Sequence, residues 1–329
     1  MKKKIAIVAG GDSSEASVSL RSAEGILSFM NQEKYDCCVV EMIGKEWNAL
    51  YQGEKYAIDR NDFSFNAPNG HHTFDFAYIT IHGTPGEDGI LQGYFDLIGM
   101  PYSTCGVLTE ALTFNKFALN NYLRSFPELN VSDSILVRKG EALPCPDEVV
   151  GRLGLPCFVK PNAGGSSFGV SKVKTTDSLT PAIEKAMNES DEVMIEKQMV
   201  GTEITCGCYR RGKEIITFPI TEVVTSQEFF DYDAKYNNLS EEITPARIAD
   251  TTAKRVSEMT QQIYRLLGCY GIIRIDYILS GEKGNEKINL LEINTTPGMT
   301  AASFIPQQVR AAHLNMGDVL SDIIEGKFA

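Results

Sequence analysis

The stretch KIAIVAGG at residues 4–11 decides the fold of the first part of the chain. It is a short apolar run that ends in two glycines, and apolar residues then recur at helical spacing from Val18 onward. Further apolar runs at residues 37–42 and 76–81 have the length and composition of buried strands. Because strand, helix and strand alternate, we predict an α/β domain with a parallel sheet over residues 1–104.

The pattern changes after residue 104, where short strands and single helices replace the regular alternation. We predict a mixed α+β piece over residues 105–206 and a second one over residues 207–329. The elements expected in these pieces are a helix over 106–126, strands at 131–136, 157–160, 169–174 and 193–196, a helix over 179–188, a hairpin over 203–224, a helix over 256–267 that stops at Gly268, strands at 271–279 and 287–293, and a helix over 309–324. In the first domain, the polar residues 61–72 predict a surface loop.

The charge balance narrows the range of partners. The 329 residues include 31 Lys and Arg against 43 Asp and Glu, so the formal net charge is −12. This acidity disfavours a broad nucleic-acid or anionic-membrane surface, because both attract Lys and Arg. No apolar run approaches the ~18 residues that span a bilayer, and residues 5–9 are shorter than the roughly 7–15 apolar residues of a signal peptide. We therefore expect a cytoplasmic protein.

The eight cysteines do not suggest a disulfide framework. Two are adjacent, two flank Gly207, and four are scattered singly, with no C-x2-C pair and no Cys/His cluster at zinc spacing. In a cytoplasmic chain of this length we expect reduced thiols.

Acidic side chains near the end of the chain form the first candidate site. Arg274 and Asp276 lie two apart on one predicted strand, as do Glu292 and Asn294 on the next, so each pair shares a face. If the strands are neighbours, two carboxylates converge and repel by about 4 kcal/mol at 4 Å, unless a cation offsets them. Carboxylate and amide oxygens suit Mg²⁺ held jointly with phosphates. The alternative is a solvated strand face, which the apolar residues 290, 291 and 293 disfavour.

A glycine-rich stretch, KPNAGGSSFG at residues 160–169, lies between two predicted strands. Small residues allow backbone N–H groups to approach phosphate oxygens, and Lys160 adds a positive charge. A flexible connector would have the same composition, so this stretch alone is weak evidence.

A third candidate is the sequence HGTPGEDG at residues 82–89, which follows a buried strand. Ligands of open α/β sheets bind beyond the carboxyl ends of strands, and Glu15 is expected on the same rim after the first strand. A structural His82 and a solvated Glu15 are the alternatives, but their shared edge favours a functional role.

Two motif-like stretches do not fit their context. Residues 207–213 read G-x-x-x-x-G-K, but Glu214 replaces the Ser or Thr of a P-loop and the stretch lies in a hairpin. Residues 10–12 lack the G-x-G-x-x-G fingerprint of dinucleotide-binding domains. A nicotinamide-dependent oxidoreductase is therefore disfavoured.

Taken together, the motifs resemble the D-alanine–D-alanine ligases, a family of the ATP-grasp superfamily. The motifs that carry this resemblance span nearly the whole chain: Gly10-Gly11 with Glu15, Val18 and Ser19; His82-Gly83 with Gly86 to Gly89; Lys160-Pro161 with Gly165 to Ser167; Tyr232, Ala234, Lys235 and Tyr236; Arg274 with Asp276; and Glu292, Asn294, Thr295 and Pro297 to Thr300.

The resemblance implies an N-terminal Rossmann-like (preATP-grasp) domain followed by a two-part ATP-grasp domain. It implies a cytoplasmic homodimer that joins two D-alanines for peptidoglycan synthesis. In such a reaction ATP phosphorylates the carboxylate of the first D-alanine, and the amine of the second attacks the acyl phosphate. The substrates are then ATP and D-alanine, with two Mg²⁺ or Mn²⁺ ions.

The resemblance also assigns roles to individual residues. The ATP ligands are Lys116, Lys160, Ser166, Ser167, Glu196, Lys197, Met199, Glu203, Phe229, Lys235 and Leu291. The metal ligands are Asp276, Glu292 and Asn294. The amino-acid ligands are Glu15, His82, Lys235, Tyr236, Gly298, Ser303 and Phe304. The catalytic residues are Glu15, Ser166, Arg274 and Ser303. Arg274 and the Gly298 N–H would stabilise the tetrahedral intermediate, and Ser166 and Tyr236 would bond to each other and to Glu15.

The chain departs from the family pattern at a few positions. Gly164 stands where an acidic residue is frequent, Phe304 where Leu is usual, and residues 237–245 are divergent. Tyr236 favours an amine over a hydroxyl as the attacking group. The alternatives are an ATP-grasp ligase with another acceptor, which the His82 and Tyr236 motifs disfavour, and an inactive nucleotide-binding regulator, which would have lost the lysine and metal ligands that this chain retains.

Overall fold

The computed structural model of the chain describes residues 2–165, 168–225 and 240–329. The strands of these residues form three sheets. Within the same ranges, no helix combines the length and the apolar character that crossing a membrane requires. All eight cysteines fall among the described residues and each is a free thiol, which confirms that prediction.

The first sheet contains the predicted parallel core. Strand β1 (Lys3–Gly10) lies between β2 (Tyr35–Ile43) and β7 (Phe76–Ile79) and runs parallel to both. Helix α1 (Ala16–Phe29) connects β1 with β2, and α2 (Ile90–Ile98) follows β7. The middle of β1 is completely buried, which explains why its sequence is uniformly apolar.

This sheet continues in an antiparallel extension that the sequence pattern does not predict. Its strands are β3 (Glu46–Tyr51), β4 (Glu54–Asp59), β5 (Ser64–Ala67) and β6 (Gly70–His72). The expected surface loop over 61–72 is therefore wrong. A two-residue turn joins β3 to β4, with positive φ at Gln52 (52°) and Gly53 (85°). Phe65 on β5 is buried and anchors the extension in the core of the sheet.

The helix expected over 106–126 is also wrong, because it is divided in two. Helix α3 (Val107–Phe114) ends at Asn115, whose φ and ψ are −89° and 96°, and α4 (Lys116–Leu123) begins one residue later. The Asn115 side chain accepts a hydrogen bond from the Ala118 N–H at 2.9 Å and caps α4. The break places Lys116 in the first turn of a helix.

The second sheet is entirely antiparallel, with the strand order β11-β10-β12-β9. Its strands are β9 (Ser134–Arg138), β10 (Cys157–Pro161), β11 (Ser171–Val173) and β12 (Glu192–Lys197), with helices α5 (Pro146–Leu153) and α6 (Leu179–Ala186) between them. Helix α5 and a 3₁₀ turn at Thr176–Ser178 are not predicted. The strand expected at 131–136 is divided, and its first part, β8 (Asn130–Val131), joins the third sheet.

The third sheet has the strand order β16-β15-β13-β17-β18-β8, with β14 paired to β13. Its remaining strands are β13 (Thr202–Arg211), β14 (Glu214–Thr217), β15 (Thr221–Thr225), β16 (Ser240–Ile243), β17 (Ile273–Ser280) and β18 (Lys287–Asn294). The predicted hairpin after Arg211 is confirmed, with Gly212 at a φ of 57°. Helix α7 (Asp250–Leu266) ends before Gly268, whose φ is 62°, also as predicted.

The C-terminal helix expected over 309–324 is divided into α8 (Phe304–Ala311) and α9 (Met316–Glu325). His313 has a φ of 55°, and the Asn315 side chain caps α9 by accepting from the Gly317 N–H at 2.8 Å. Apolar residues of α9 share one buried cluster with β1 and α1. This packing brings the end of the chain against the first sheet.

Candidate functional site

The two acidic strands are neighbours, which is the condition that the candidate acidic site requires. Strands β17 and β18 pair antiparallel, with Arg274 opposite Asn294 and Asp276 opposite Glu292. The register shifts directly after Asp276, at a β-bulge. The four polar side chains therefore stand on one face of the sheet, where cross-strand neighbours are in reach of each other.

Asp276 is the centre of this face. Its carboxylate accepts hydrogen bonds from Arg274 Nε and Nη2 at 2.9 and 2.8 Å, from Thr205 Oγ1 at 2.6 Å and from Asn294 Nδ2 at 3.1 Å. Burial lowers the pKa of Arg274, but the charges of Asp276 and Glu292 outweigh this effect and raise that pKa above its ordinary value. The guanidinium is therefore a permanent cation beside the acids.

Two lysines face the acids from other elements. Lys116, at the start of α4, forms an ion pair with Glu292 at 2.9 Å and donates to the Gly164 carbonyl at 2.7 Å. Lys160, on β10, forms an ion pair with Glu196 on β12 at 2.6 Å. The Lys160 and Glu196 side chains are only 12% and 4% exposed, so the second pair is largely removed from water.

A cleft of about 540 Å³ opens between the second and third sheets beside these charges. This volume falls in the ~300–1,000 Å³ range of small-molecule sites. Eleven of the predicted site residues line it: Lys116, Lys160, Glu196, Lys197, Met199, Glu203, Arg274, Asp276, Leu291, Glu292 and Phe304. Apolar walls come from residues that were not predicted, namely Phe158, Phe168, Val170, Val200, Val224 and Ile278.

The acidic face fits a divalent cation by its donor set. Asp276 and Glu292 offer two carboxylates, and Asn294 adds an amide oxygen, all hard donors of the kind Mg²⁺ prefers. Arg274 and Lys116 supply the positive charge that balances the two acids. Among the described residues, no group of three or more His, Cys, Asp or Glu could hold a metal ion. The set formed by Asp276, Glu292 and Asn294 has only two acidic residues, so Asn294 must supply its third donor.

The rim of the first sheet approaches the glycine-rich loop. Glu15 is the N-cap of α1, and a Cβ atom added to Gly165 would lie 2.3 Å from Glu15 Oε2. A side chain at position 165 would displace the Glu15 carboxylate, so glycine lets the loop approach this rim closely. Ser13 links this rim to the motif at residues 82–89, since its hydroxyl donates to the His82 carbonyl at 2.7 Å.

His82 is buried, and its Nε2 atom has no hydrogen-bond partner among the described residues. Nearby, Glu87 accepts from the Gly83 N–H at 2.7 Å. Burial raises the pKa of the Glu87 carboxyl above its ordinary value, against the opposing effect of His82. This corner of the site thus holds a half-buried acid beside a buried imidazole.

The turn between β18 and α8 contributes the remaining predicted residues. Ser303 is the N-cap of α8, and its hydroxyl contacts the Thr300 N–H at 3.1 Å and the Thr300 hydroxyl at 2.8 Å. A Cβ atom on Gly298 would lie 3.0 Å from Ser303 Oγ. The Phe304 ring centre is 5.2 Å from the Arg274 guanidinium, which joins this turn to the acidic face.

Five predicted site residues lie outside the described ranges: Ser166, Ser167, Phe229, Lys235 and Tyr236.

Sequence reasoning missed several supporting residues. Thr205 lies two residues after Glu203 on β13, and this strand period could have placed it on the same face. Asn162 is completely buried and donates to Asn115 Oδ1 at 2.9 Å, which fixes the glycine-rich loop against the start of α4. No local signal distinguishes Asn162 from an ordinary loop asparagine.

The fold and the cleft are those of an ATP-grasp protein, with the cleft between the second and third sheets and the cations and acids at its floor. Two family models match the chain, "D-ala D-ala ligase N-terminus" over residues 4–105 and "D-ala D-ala ligase C-terminus" over residues 127–325. The chain belongs to the D-alanine–D-alanine ligase family.

Relatives support this membership over the whole length. The chain is 62% identical to a D-alanine–D-alanine ligase of Phocaeicola vulgatus and 60% identical to one of Bacteroides fragilis, each covering 100% of both chains. Among solved structures, it is similar to the VanG D-Ala:D-Ser ligase from Enterococcus faecalis, at 31% identity and a TM-score of 0.85 over 99% of both chains. It is also similar to a Bacillus anthracis D-alanine–D-alanine ligase complexed with ATP, at 28% identity and a TM-score of 0.77, covering 99% of this chain and 97% of that one.

Proposed function

We propose that the chain is an ATP-dependent ligase that joins two D-alanines into D-alanyl-D-alanine for peptidoglycan precursor synthesis. The observation that carries this proposal is the position of Glu15 against Gly165, beside a cleft whose floor is the Asp276 and Glu292 face. An amino-acid ammonium at Glu15 and a triphosphate over the glycine-rich loop would meet at this junction. The full-length relatives support the same reaction.

ATP is proposed to lie in the cleft between the second and third sheets. Lys116 and Lys160 would bind its phosphate oxygens as point charges. Glu196, Lys197, Met199, Glu203 and Leu291 would surround the base and ribose, since they line the part of the cleft formed by β12, β13, the connection between these two strands, and β18. Ser167 and Phe229 are assigned to the nucleotide by the family resemblance alone.

In the first step, a carboxylate oxygen of the first D-alanine attacks the γ-phosphorus, the bond to the β–γ bridging oxygen breaks, and ADP leaves. Glu15 holds the ammonium of that D-alanine, with His82 beside it. Asp276, Glu292 and Asn294 would hold two Mg²⁺ or Mn²⁺ ions, whose role when bound is to neutralise charge on the transferred phosphoryl group.

In the second step, the neutral amine of the second D-alanine attacks the acyl carbon, the bond from that carbon to the phosphate oxygen breaks, and inorganic phosphate departs with the proton that the nitrogen loses. Arg274 and the Gly298 N–H would stabilise the oxyanion of the tetrahedral intermediate. Ser303 and Lys235 would receive the second carboxylate, with Phe304 shaping that subsite. Ser166 and Tyr236 would join to Glu15 and exclude water from the acyl phosphate.

We also propose that the protein is a cytoplasmic homodimer and that residues 1–104, 105–206 and 207–329 are its functional parts. An apolar face on α2 and α3 supports the dimer: Ile90, Leu97, Val107 and Leu108 are 62%, 88%, 40% and 79% exposed. Two copies could bury these faces against each other.

Sedimentation of the wild-type chain and of the Leu97→Glu/Leu108→Glu variant tests the dimer by their oligomeric states. We expect a wild-type dimer and a monomeric variant. A wild-type monomer, or a variant that stays dimeric, contradicts the proposed dimer.

The experiment that tests the reaction is incubation with ATP, Mg²⁺ and either D-alanine or L-alanine. Phosphate release and dipeptide formation are followed in parallel. We expect both products with D-alanine and neither with L-alanine. Absence of a D-specific dipeptide would contradict the proposed function.

A further inference from the structure

The turn that follows β18 carries the groups closest to the proposed chemistry. Asn294 ends the strand, and Gly298, whose N–H is assigned to the oxyanion, comes four residues later. A loop in this place must be held by other parts of the chain, because a misplacement of about 1 Å can cost roughly 100-fold in rate.

Two of the contacts that hold this turn are long. The Met299 N–H donates to Ser22 Oγ at 3.3 Å, and the Thr296 hydroxyl donates to the Ile81 carbonyl at 3.4 Å. Both distances lie beyond the usual range of about 2.5–3.2 Å for protein hydrogen bonds. These contacts bring the turn against the first sheet and α1.

The third contact is short and comes from a different element. The Thr295 hydroxyl donates to Glu110 Oε2, and Thr295 is the first residue after Asn294. Glu110 lies in the first turn of α3 and is 0% exposed. Within the described part of the chain, no Lys, Arg or His forms an ion pair with it. Burial raises the pKa of the Glu110 carboxyl well above its ordinary value.

Burying the Glu110 carboxyl costs free energy, because the group loses its hydration, and a hydroxyl or an apolar side chain on α3 would avoid this cost. The length of the glutamate side chain is what allows α3 to reach the turn. Thr109, the preceding residue, shows the contrast: its hydroxyl donates to the Leu267 carbonyl at 2.7 Å and ties the same helix to the end of α7 instead.

We infer that Glu110 is a positioning residue for the ligation reaction: through Thr295 it fixes the turn that presents Asn294 and the Gly298 N–H. The inference rests on the proposed function for its catalytic consequence. It predicts that the side chain at position 110 affects turnover without touching the nucleotide cleft.

The test compares three variants by kcat and by KM for ATP. Glu110→Ala is expected to lower kcat about 10- to 100-fold while KM for ATP stays within about twofold. Glu110→Gln, which keeps the side-chain length and an oxygen that can accept from the Thr295 hydroxyl, should restore kcat to within about threefold of the wild type. Thr109→Val removes a buried hydrogen bond from the same helix and serves as the matched control, with kcat within about twofold.

Amide hydrogen exchange at residues 295, 296, 298 and 299 is measured in the same variants, and it reports on the turn whether or not the chain ligates D-alanine. Exchange should accelerate in Glu110→Ala and remain as in the wild type in Thr109→Val. Unchanged exchange in Glu110→Ala, or a glutamine variant as impaired as the alanine variant, overturns the inference. A wild-type chain without dipeptide product would instead contradict the proposed function.

If Glu110→Ala does not fold, Thr295→Val decides the question, because it keeps the side-chain shape and removes only the hydroxyl. We expect its kcat to fall at least about fivefold, the cost of about 1 kcal/mol in positioning. A kcat equal to that of the wild type would overturn the inference.

Discussion

The two ends of the cleft are built in different ways. At the nucleotide end, charged residues stand on paired strands: Lys160 and Glu196 on β10 and β12, Asp276 and Glu292 on β17 and β18. At the amino-acid end, the assigned residues come from separate turns and helix starts, such as Glu15 and Ser303.

This difference determines what each end needs in order to form. Strand register alone puts partners on one face, because side chains alternate and cross-strand pairs are neighbours. The amino-acid end forms only when the first sheet, the glycine-rich loop and the β18–α8 turn pack together. Substitutions at the nucleotide end should therefore act through charge, and those at the other end through placement of the substrate.

Loss of one acid from the strand face should have the largest effect. Glu292→Gln keeps the side-chain size but removes a carboxylate that the bound cations require, and we expect kcat to fall about 1,000-fold. Phosphate release with ATP and D-alanine measures it. Glu282→Gln, an exposed acid in the β17–β18 connection, is the control. If kcat of Glu292→Gln fell by less than tenfold, the acidic face would not be required for the reaction.

Breaking the buried ion pair at the nucleotide end should lower stability. Lys160→Met leaves Glu196 with a buried unpaired charge, and we expect the free energy of unfolding to fall by about 3 kcal/mol in urea titrations. The double variant Lys160→Met/Glu196→Gln should regain most of that stability but not ATP binding. Lys139→Met breaks the exposed pair with Asp191 and should change stability by less than about 1 kcal/mol. Equal effects of the two lysine substitutions would contradict this account.

Neutralising the acid at the amino-acid end should have a smaller effect. Glu15→Gln weakens a charge-assisted contact worth about 2 kcal/mol, so kcat/KM for D-alanine should fall about 30-fold while KM for ATP stays within about twofold. Steady-state kinetics with each substrate varied in turn separates the two constants. Glu24→Gln, exposed on the same helix, is the matched control. If only KM for ATP changed in Glu15→Gln, Glu15 would belong to the nucleotide end of the cleft and not to the amino-acid end.

The smallest effect is expected where the two ends touch. Phe304→Leu removes the ring that lies 5.2 Å from Arg274, an interaction worth about 1 kcal/mol, and should change KM for the second D-alanine about fivefold. Competition between D-alanine and D-serine as the attacking amine measures the accompanying change in preference. Phe328→Leu also loses a contact with a cation, Lys3, but far from the cleft. If Phe304→Leu and Phe328→Leu showed the same preference between D-alanine and D-serine, Phe304 would not be part of the second D-alanine subsite.

The same contrast explains which features the sequence could predict. The sequence predicts that Arg274 shares a strand face with Asp276, and Glu292 with Asn294, because residues two apart on a strand point to the same side. Whether the two faces meet depends on the pairing of β17 with β18, which the sequence left as a condition and the structure shows. The contact of Glu15 with Gly165 was not predictable from physics, since it depends on how separate parts of the chain pack. Only the family resemblance brought those two segments together.

Errors in the predicted fold have local causes. The single helix expected over 106–126 has uninterrupted apolar spacing, and its break depends on Asn115 meeting Asn162, a residue 47 positions later. The antiparallel strands β3 to β6 are short and half-exposed, so their alternation is too weak to separate from a polar loop.

We propose that the two ends of the cleft meet so that the γ-phosphoryl group passes from ATP to the D-alanine carboxylate. D-alanine labelled with ¹⁸O in both carboxyl oxygens tests it most directly, with mass spectrometry of the released phosphate. We expect one ¹⁸O atom in each phosphate released with dipeptide, because the carboxylate oxygen that attacks phosphorus leaves with it. Dipeptide formation with unlabelled phosphate would show that the carboxylate is not phosphorylated.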